Sequence, residues 1–131
     1  MTASTSTALR LAAFALDCPD PRALAAFYGR LLGWEIDEAE SEDDWVELAD
    51  PAGGAPLAFQ RDPHFQPPTW PGRERPQMAH LDVRVQTLEE GHERALAAGA
   101  TPLPQPEDQL DASWRVYADP AGHPFCMCAC T

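Results

Sequence analysis

The tetrapeptide Asp50-Pro51-Ala52-Gly53 recurs as Asp119-Pro120-Ala121-Gly122, and each copy sits at the same place in a half-chain of the same layout. Upstream of each copy run an opening strand, a helix closed by Gly, a loop and a short strand; downstream runs one last apolar strand. A period of this kind governs the architecture before any single residue is interpreted. Two copies of one unit can cup a pocket between them, and pockets are where ligands bind.

The first unit opens with a strand over 11–18, with Phe14, Leu16 and Cys18 on one side and Ala13, Ala15 and Asp17 on the other. Asp20 is placed to N-cap a helix that has Pro21 at its first position, Leu24, Phe27, Tyr28 and Leu31 at helical spacing, and Gly33 as its stop. A short strand at 34–36, an acidic loop over 38–44, a strand at 45–48, the first turn and a strand at 56–60 follow. The second unit repeats the pattern with a strand at 78–85, a helix over 87–98 stopped by Gly99, a Pro-rich loop, and strands at 113–118 and 125–130. Thr87 and Glu90 have capping-box spacing, so this helix start is marked independently of the repeat. The expected organisation is one domain over 1–131: a disordered tail (1–8), a first module (9–62), a Pro-rich connector (63–77) and a second module (78–131).

Charge narrows the partners. Nine Lys and Arg face 21 Asp and Glu, a formal net charge of -12, which repels phosphate backbones and anionic lipid. Nucleic acid and membrane are therefore excluded as expected partners. The opening MTASTSTALR is polar and lacks an apolar core of signal-peptide length, and no segment approaches a membrane span, so the expected location is cytoplasmic.

Three of the four cysteines, Cys126, Cys128 and Cys130, alternate along one segment. Residues two apart in an extended strand share a face with nearly parallel side-chain vectors and bridge poorly, so reduced thiols are expected. Metal-binding cysteines usually come as pairs on turns, which favours a structural role over a soft metal site. Cys18 falls on the helix side and is expected to be inert.

Each helix covers one face of its sheet and leaves the other as the wall of a cup. In the second opening strand Ala79, Leu81, Val83 and Val85 form the apolar series, which turns His80, Asp82 and Arg84 towards the cup. By the same phase argument Trp45, Glu47 and Trp114 turn inward, with Ala58 and Gln60 in one unit and Cys126 and Cys128 in the other. His80 suits general acid or base work with Asp82 or Glu47 as orienting groups, or is a wall histidine satisfied across the sheet. Asp82 and Arg84 are alternatively a mutually neutralising pair. Trp45 and Trp114 offer flat walls for a planar or hydrophobic ligand, or belong to the core. Phe65, Trp70, Arg73 and Arg75 of the connector form either a lid or a structural crossover.

The two copies of strand, helix and three strands, the segment LDCPDPRALAAFYGRLLGWE and the closing ADPAGHPF resemble the glyoxalase, bleomycin-resistance and extradiol dioxygenase superfamily, the vicinal oxygen chelate fold. The resemblance runs from about residue 9 to 130. It implies an α+β fold of two tandem βαβββ modules whose curved mixed sheets enclose a cavity, and a homodimer. It also implies a divalent metal held at four positions by His, Glu or Gln. Carried over one at a time, those positions hold Ala13, Ala58 (with Gln60 two residues on), His80 and Cys126. Only His80 is a ligand of the family type, with Gln60 and Cys126 as lesser donors, and alanines cannot coordinate. Two functions follow as expectations. The first is binding of a small planar or hydrophobic molecule by Trp45, Gln60, Arg84, Trp114, Cys126 and Cys128, with no cofactor. The alternative is a lyase, isomerase or dioxygenase built around His80 and a divalent metal such as Zn, Ni, Mn or Fe.

Overall fold

Asp20 accepts the Ala23 N–H at 3.2 Å and Gly33 turns left-handed at φ 74°, so the first helix, α1, runs Pro21–Leu32. The Thr87 side chain accepts the Glu90 N–H and Gly99 closes the second helix, α2, Leu88–Ala98, at φ 108°. Both helices thus start and stop at the residues whose side chains or backbone freedom satisfy otherwise unpaired terminal groups. In this computed structural model residues 8–130 are described; the tail expected at the N-terminus falls almost entirely outside the described residues.

The strands are β1 Phe14–Cys18, β2 Glu35–Ile36, β3 Trp45–Ala49, β4 Leu57–Arg61, β5 Asp82–Arg84, β6 Thr101–Pro102, β7 Trp114–Ala118 and β8 Pro124–Cys128. They form two four-stranded sheets ordered β1-β4-β3-β2 and β5-β8-β7-β6. In each sheet the opening strand runs parallel to the closing strand and the remaining pairs are antiparallel. This is the α+β fold of two βαβββ modules that the repeat implies. The opening strands are shorter than alternation alone suggests. β8 pairs in register with Asp82–Arg84, and Met78, before it, is 99% exposed. β6 lies in what reads as a Pro-rich loop, where the prolines mask it.

Leu24, Phe27, Tyr28 and Leu31 of α1 are buried in a core shared by both modules. The Tyr28 ring stacks on Phe59 of β4 at 5.7 Å between centroids and meets Phe125 of β8 edge-on at 5.9 Å. Burying each such side chain contributes about 1.5–3 kcal/mol, so the two modules are joined through their helix sides. α2 approaches its sheet closely at Gly91, where a Cβ would lie 3.0 Å from Val85 Cγ2 and 3.1 Å from Met127 Cβ.

The two copies of the repeat are matching turns. Asp50 Oδ1 accepts from Ala52 N at 2.8 Å and Asp119 Oδ1 from Ala121 N at 2.9 Å, while Gly53 and Gly122 have φ of 84° and 98°. The aspartate ties down the backbone two residues on, and glycine takes the left-handed position that closes the turn. Because the core lies on the helix side, the opposite faces of the two sheets look away from it. Ala58, Val116 and Cys126 are buried yet lie outside the core cluster, on those opposite faces.

Candidate functional site

The ladder between β5 and β8 sets Asp82 opposite Cys126, and that between β7 and β8 sets Trp114 opposite Cys128 and Val116 opposite Cys126. Opposed residues share a face, so these side chains converge. His80 precedes β5 by two residues and joins the same side. With Trp70 and Gln77 of the connector they line a cavity of about 260 Å³. Trp70 is held over it by its indole N–H, which donates to Pro104 O at 2.9 Å.

At the polar end of the cavity His80 Nε2 lies 3.0 Å from Asp82 Oδ1. One ligand-type atom each from His80, Asp82 and Cys126 all fall within 4.8 Å of one another. Burial, and next the nearby Asp82 carboxylate, push the Cys126 thiol up to about 11, so it holds its proton at neutral pH. Gln77 Oε1 is buried with no hydrogen-bond partner among the described residues.

Two expectations are corrected here. Asp82 pairs with His80 and not with Arg84, whose side chain lines a separate groove beside Glu90 and Arg94. The closing thiols are not all reduced: Cys128 and Cys130 form a disulfide. The strand ends at Cys128, so Cys130 leaves the extended conformation and the two Cα atoms come to 5.3 Å, within bridging range. Cys18 and Cys126 remain free thiols, both buried.

Trp45, Glu47 and Gln60 do lie on one face, but of the first sheet, and they do not line the cavity that holds His80. The Trp45 indole N–H donates to Glu47 Oε2 at 3.0 Å, which occupies the carboxylate. The helix-side core separates this face from the second module's, so the connector rather than the first module covers the His80 cavity. Trp70, of the connector read as either a lid or a structural crossover, supplies part of that cover. Gln77 carried no local signal, since it follows Pro76 in a segment without periodicity. A larger groove of about 480 Å³ runs between α2 and β7, where His92 Nδ1 and the Tyr117 hydroxyl are 2.8 Å apart. That pair is satisfied within the groove, whereas the cavity at His80 combines an imidazole, a carboxylate and a thiol with two indoles.

A sequence profile of the glyoxalase-like domain matches residues 13–128. The chain belongs to this family. Solved structures with this glyoxalase-like fold include protein ATC0852 from Agrobacterium tumefaciens, with a TM-score of 0.67 and 20% identity over 95% of this chain and 99% of that one. A glyoxalase/bleomycin resistance protein/dioxygenase family enzyme from Burkholderia phytofirmans gives 0.65 and 18% over 91% and 97%. The fosfomycin resistance protein FosX from Listeria monocytogenes, as a variant complexed with Mn(II) and 1S,2S-dihydroxypropylphosphonic acid, gives 0.64 and 19% over 92% of each chain. No protein with a curated description matches the chain by sequence. No helix among the described residues is long and apolar enough to cross a membrane.

The metal that the family resemblance implies can be tested against these side chains. Ala13 and Ala58 have no donor atom, so the four-position set is not present. His80 and Cys126 are, and Asp82, two residues beyond His80, brings a carboxylate to the same point. The donors thus fit a cation at a three-residue set that differs from the expected one.

Proposed function

We propose that this glyoxalase-like domain binds a small molecule that carries a planar or hydrophobic group and a hydrogen-bond donor, in the cavity between Trp70, Trp114, Gln77 and the His80–Asp82 pair. The observation that carries this reading is the combination of two indoles with an unpartnered buried acceptor, Gln77 Oε1, around one cavity of about 260 Å³. Ligand sites are typically apolar walls with a few convergent polar groups, and this cavity lies just below the usual range of about 300–1,000 Å³, which favours a compact ligand. Indole faces supply contact area at little conformational cost, and a ligand N–H or O–H would satisfy the orphaned oxygen. The His80 ring is held at Nε2 by Asp82, which leaves Nδ1 as the nitrogen that would exchange a proton with the bound molecule. FosX, complexed with a three-carbon phosphonate, illustrates a compact ligand on the same fold.

The test is a thermal-shift and tryptophan-fluorescence screen against benzamides, phenols and anilides, run in parallel on Trp114→Ala and Trp114→Phe. Ligands that stabilise the natural chain are expected to lose their effect in Trp114→Ala and to keep part of it in Trp114→Phe. A panel with no stabilising compound, or equal shifts in all three proteins, would remove the reading.

A further inference from the structure

We infer that the Cys128–Cys130 disulfide is an exchange site for a small thiol that also carries a carboxylate, seated in the groove beside Cys130. The two sulfurs belong to different spaces. Cys128 lines the cavity of His80 and Trp114, whereas Cys130 lines the groove of about 630 Å³ that holds Arg84, Glu90 and Arg94. A thiolate entering the groove therefore meets Cys130, with Cys128 as the leaving group. The bridge joins cysteines only two apart in sequence. Disulfide stabilisation grows with the loop enclosed, so this one constrains the unfolded chain little. The backbone around it is tied independently: Val85 N–H donates to Cys128 O at 2.9 Å and Ala129 N–H to Ser113 O at 2.8 Å. The bridge can thus open without releasing the strand.

Charge selects the thiol. With 9 Lys and Arg against 21 Asp and Glu, the chain as a whole repels anionic reagents, but this groove reverses the sign locally. Register sets Arg84 opposite Cys128, and among the described residues no carboxylate pairs with it. The Arg94–Glu90 contact is long, at 3.8 Å, so two guanidiniums face one carboxylate. A planar guanidinium receives a carboxylate through two parallel N–H donors. With the carboxylate so held, the thiolate sulfur attacks Cys130 Sγ. A new S–S bond forms as the Cys128–Cys130 bond breaks, and the electron pair leaves on Cys128 Sγ, which takes up a proton from solvent. The products are a mixed disulfide on Cys130 and a Cys128 thiol in the cavity wall opposite Trp114. A second equivalent of the thiol attacks the mixed disulfide, releases the small disulfide and leaves Cys130 as a thiol.

The exchange site is independent of whether a molecule binds in the cavity. The full chain, purified without reductant and then denatured, should titrate as two free thiols, Cys18 and Cys126, and titration of all 4 cysteines would overturn the inference. Reduction rates are next measured with mercaptoacetate, 2-mercaptoethanol and cysteamine, which are anionic, neutral and cationic. Each reagent is compared between the natural chain and Arg84→Gln, so that differences in intrinsic nucleophilicity cancel. A unit charge pair at contact in water changes a rate roughly fivefold, so Arg84→Gln should slow mercaptoacetate by about that factor, speed cysteamine and leave 2-mercaptoethanol unchanged. Arg94→Gln should move the same ratios in the same direction, and the preference should shrink at high salt. Acid quenching, N-ethylmaleimide alkylation and mass spectrometry should place the mercaptoacetate adduct on Cys130 and the maleimide on Cys128. Equal responses of the three reagents to both substitutions, or an adduct chiefly on Cys128, would refute the assignment. A circular-dichroism spectrum matching the natural chain's shows that each variant is folded.

Discussion

The Tyr28 hydroxyl donates to Asp119 Oδ2 at 2.7 Å, joining α1 of the first module to the turn that closes the second. Asp119 Oδ1 meanwhile receives the N–H groups of Ala121 and His123. Among the described residues its counterpart Asp50 holds its own turn, through Ala52 N. One copy of the repeat thus adds a link between the modules, beside those of Arg30 to Ala98 O and Arg94 to Leu31 O. Burial raises the Asp119 carboxyl above its ordinary value, and the Tyr28 hydrogen bond partly offsets that.

Tyr28→Phe should destabilise the fold by about 1–3 kcal/mol at neutral pH, because a buried carboxylate loses a donor. The sign with pH follows from the same contact. The hydroxyl favours the ionised form, so removing it pushes Asp119 further up. The cost is complete where Asp119 is charged and shrinks as pH falls through its raised titration. Urea unfolding at pH 7 and near pH 4.5 measures this, and an equal loss at both would contradict the assignment.

The two turn glycines should respond unequally to alanine. Both need left-handed φ, which costs an L-residue about 1–2 kcal/mol. A Cβ at Gly53 meets nothing within 4 Å, whereas one at Gly122 would stand 2.6 Å from Pro67 Cβ in the connector. Gly122→Ala should therefore lower the melting temperature distinctly more than Gly53→Ala. It should also displace the connector that covers the cavity, visible as altered Trp70 fluorescence.

Cys18 should be chemically silent. It is fully buried on the helix side, and burial pushes its thiol from 9.0 up to about 11. At pH 8 that leaves about a hundredfold less thiolate than an exposed cysteine carries, before access is considered. In Cys126→Ser, iodoacetamide should label no thiol at pH 8 until denaturant is added. Prompt stoichiometric labelling of the folded variant would contradict this placement.

The fold was readable because its signals were local and doubled. Asp20, Pro21 and Gly33 mark one helix, Thr87 and Gly99 the other, and the two DPAG turns align the halves. The convergence of His80, Trp114, Cys126 and Cys128 was also readable, since a strand's phase is decided by which alternate residues are apolar. What alternation does not encode is how two modules are set against each other. Trp45, Glu47 and Gln60 share a face as their phase requires, yet that face lies across the core from His80. The Asp82–His80 contact depends on where β5 begins, and the Cys128–Cys130 bridge on where β8 ends. Strand ends are set by the neighbouring strand and not by the residues themselves.

Gln77 offers a separation of ligand binding from stability. An unsatisfied buried acceptor costs about 1–3 kcal/mol, and an apolar side chain of similar shape removes that penalty. Gln77→Met should consequently leave the fold as stable as before or raise its urea midpoint, the opposite of the usual effect of substituting a half-buried polar residue. The expectation rests on Oε1 having no partner among the described residues. A loss of more than about 1 kcal/mol would mean that Oε1 has a partner within the folded chain, and that the acceptor is not held in reserve.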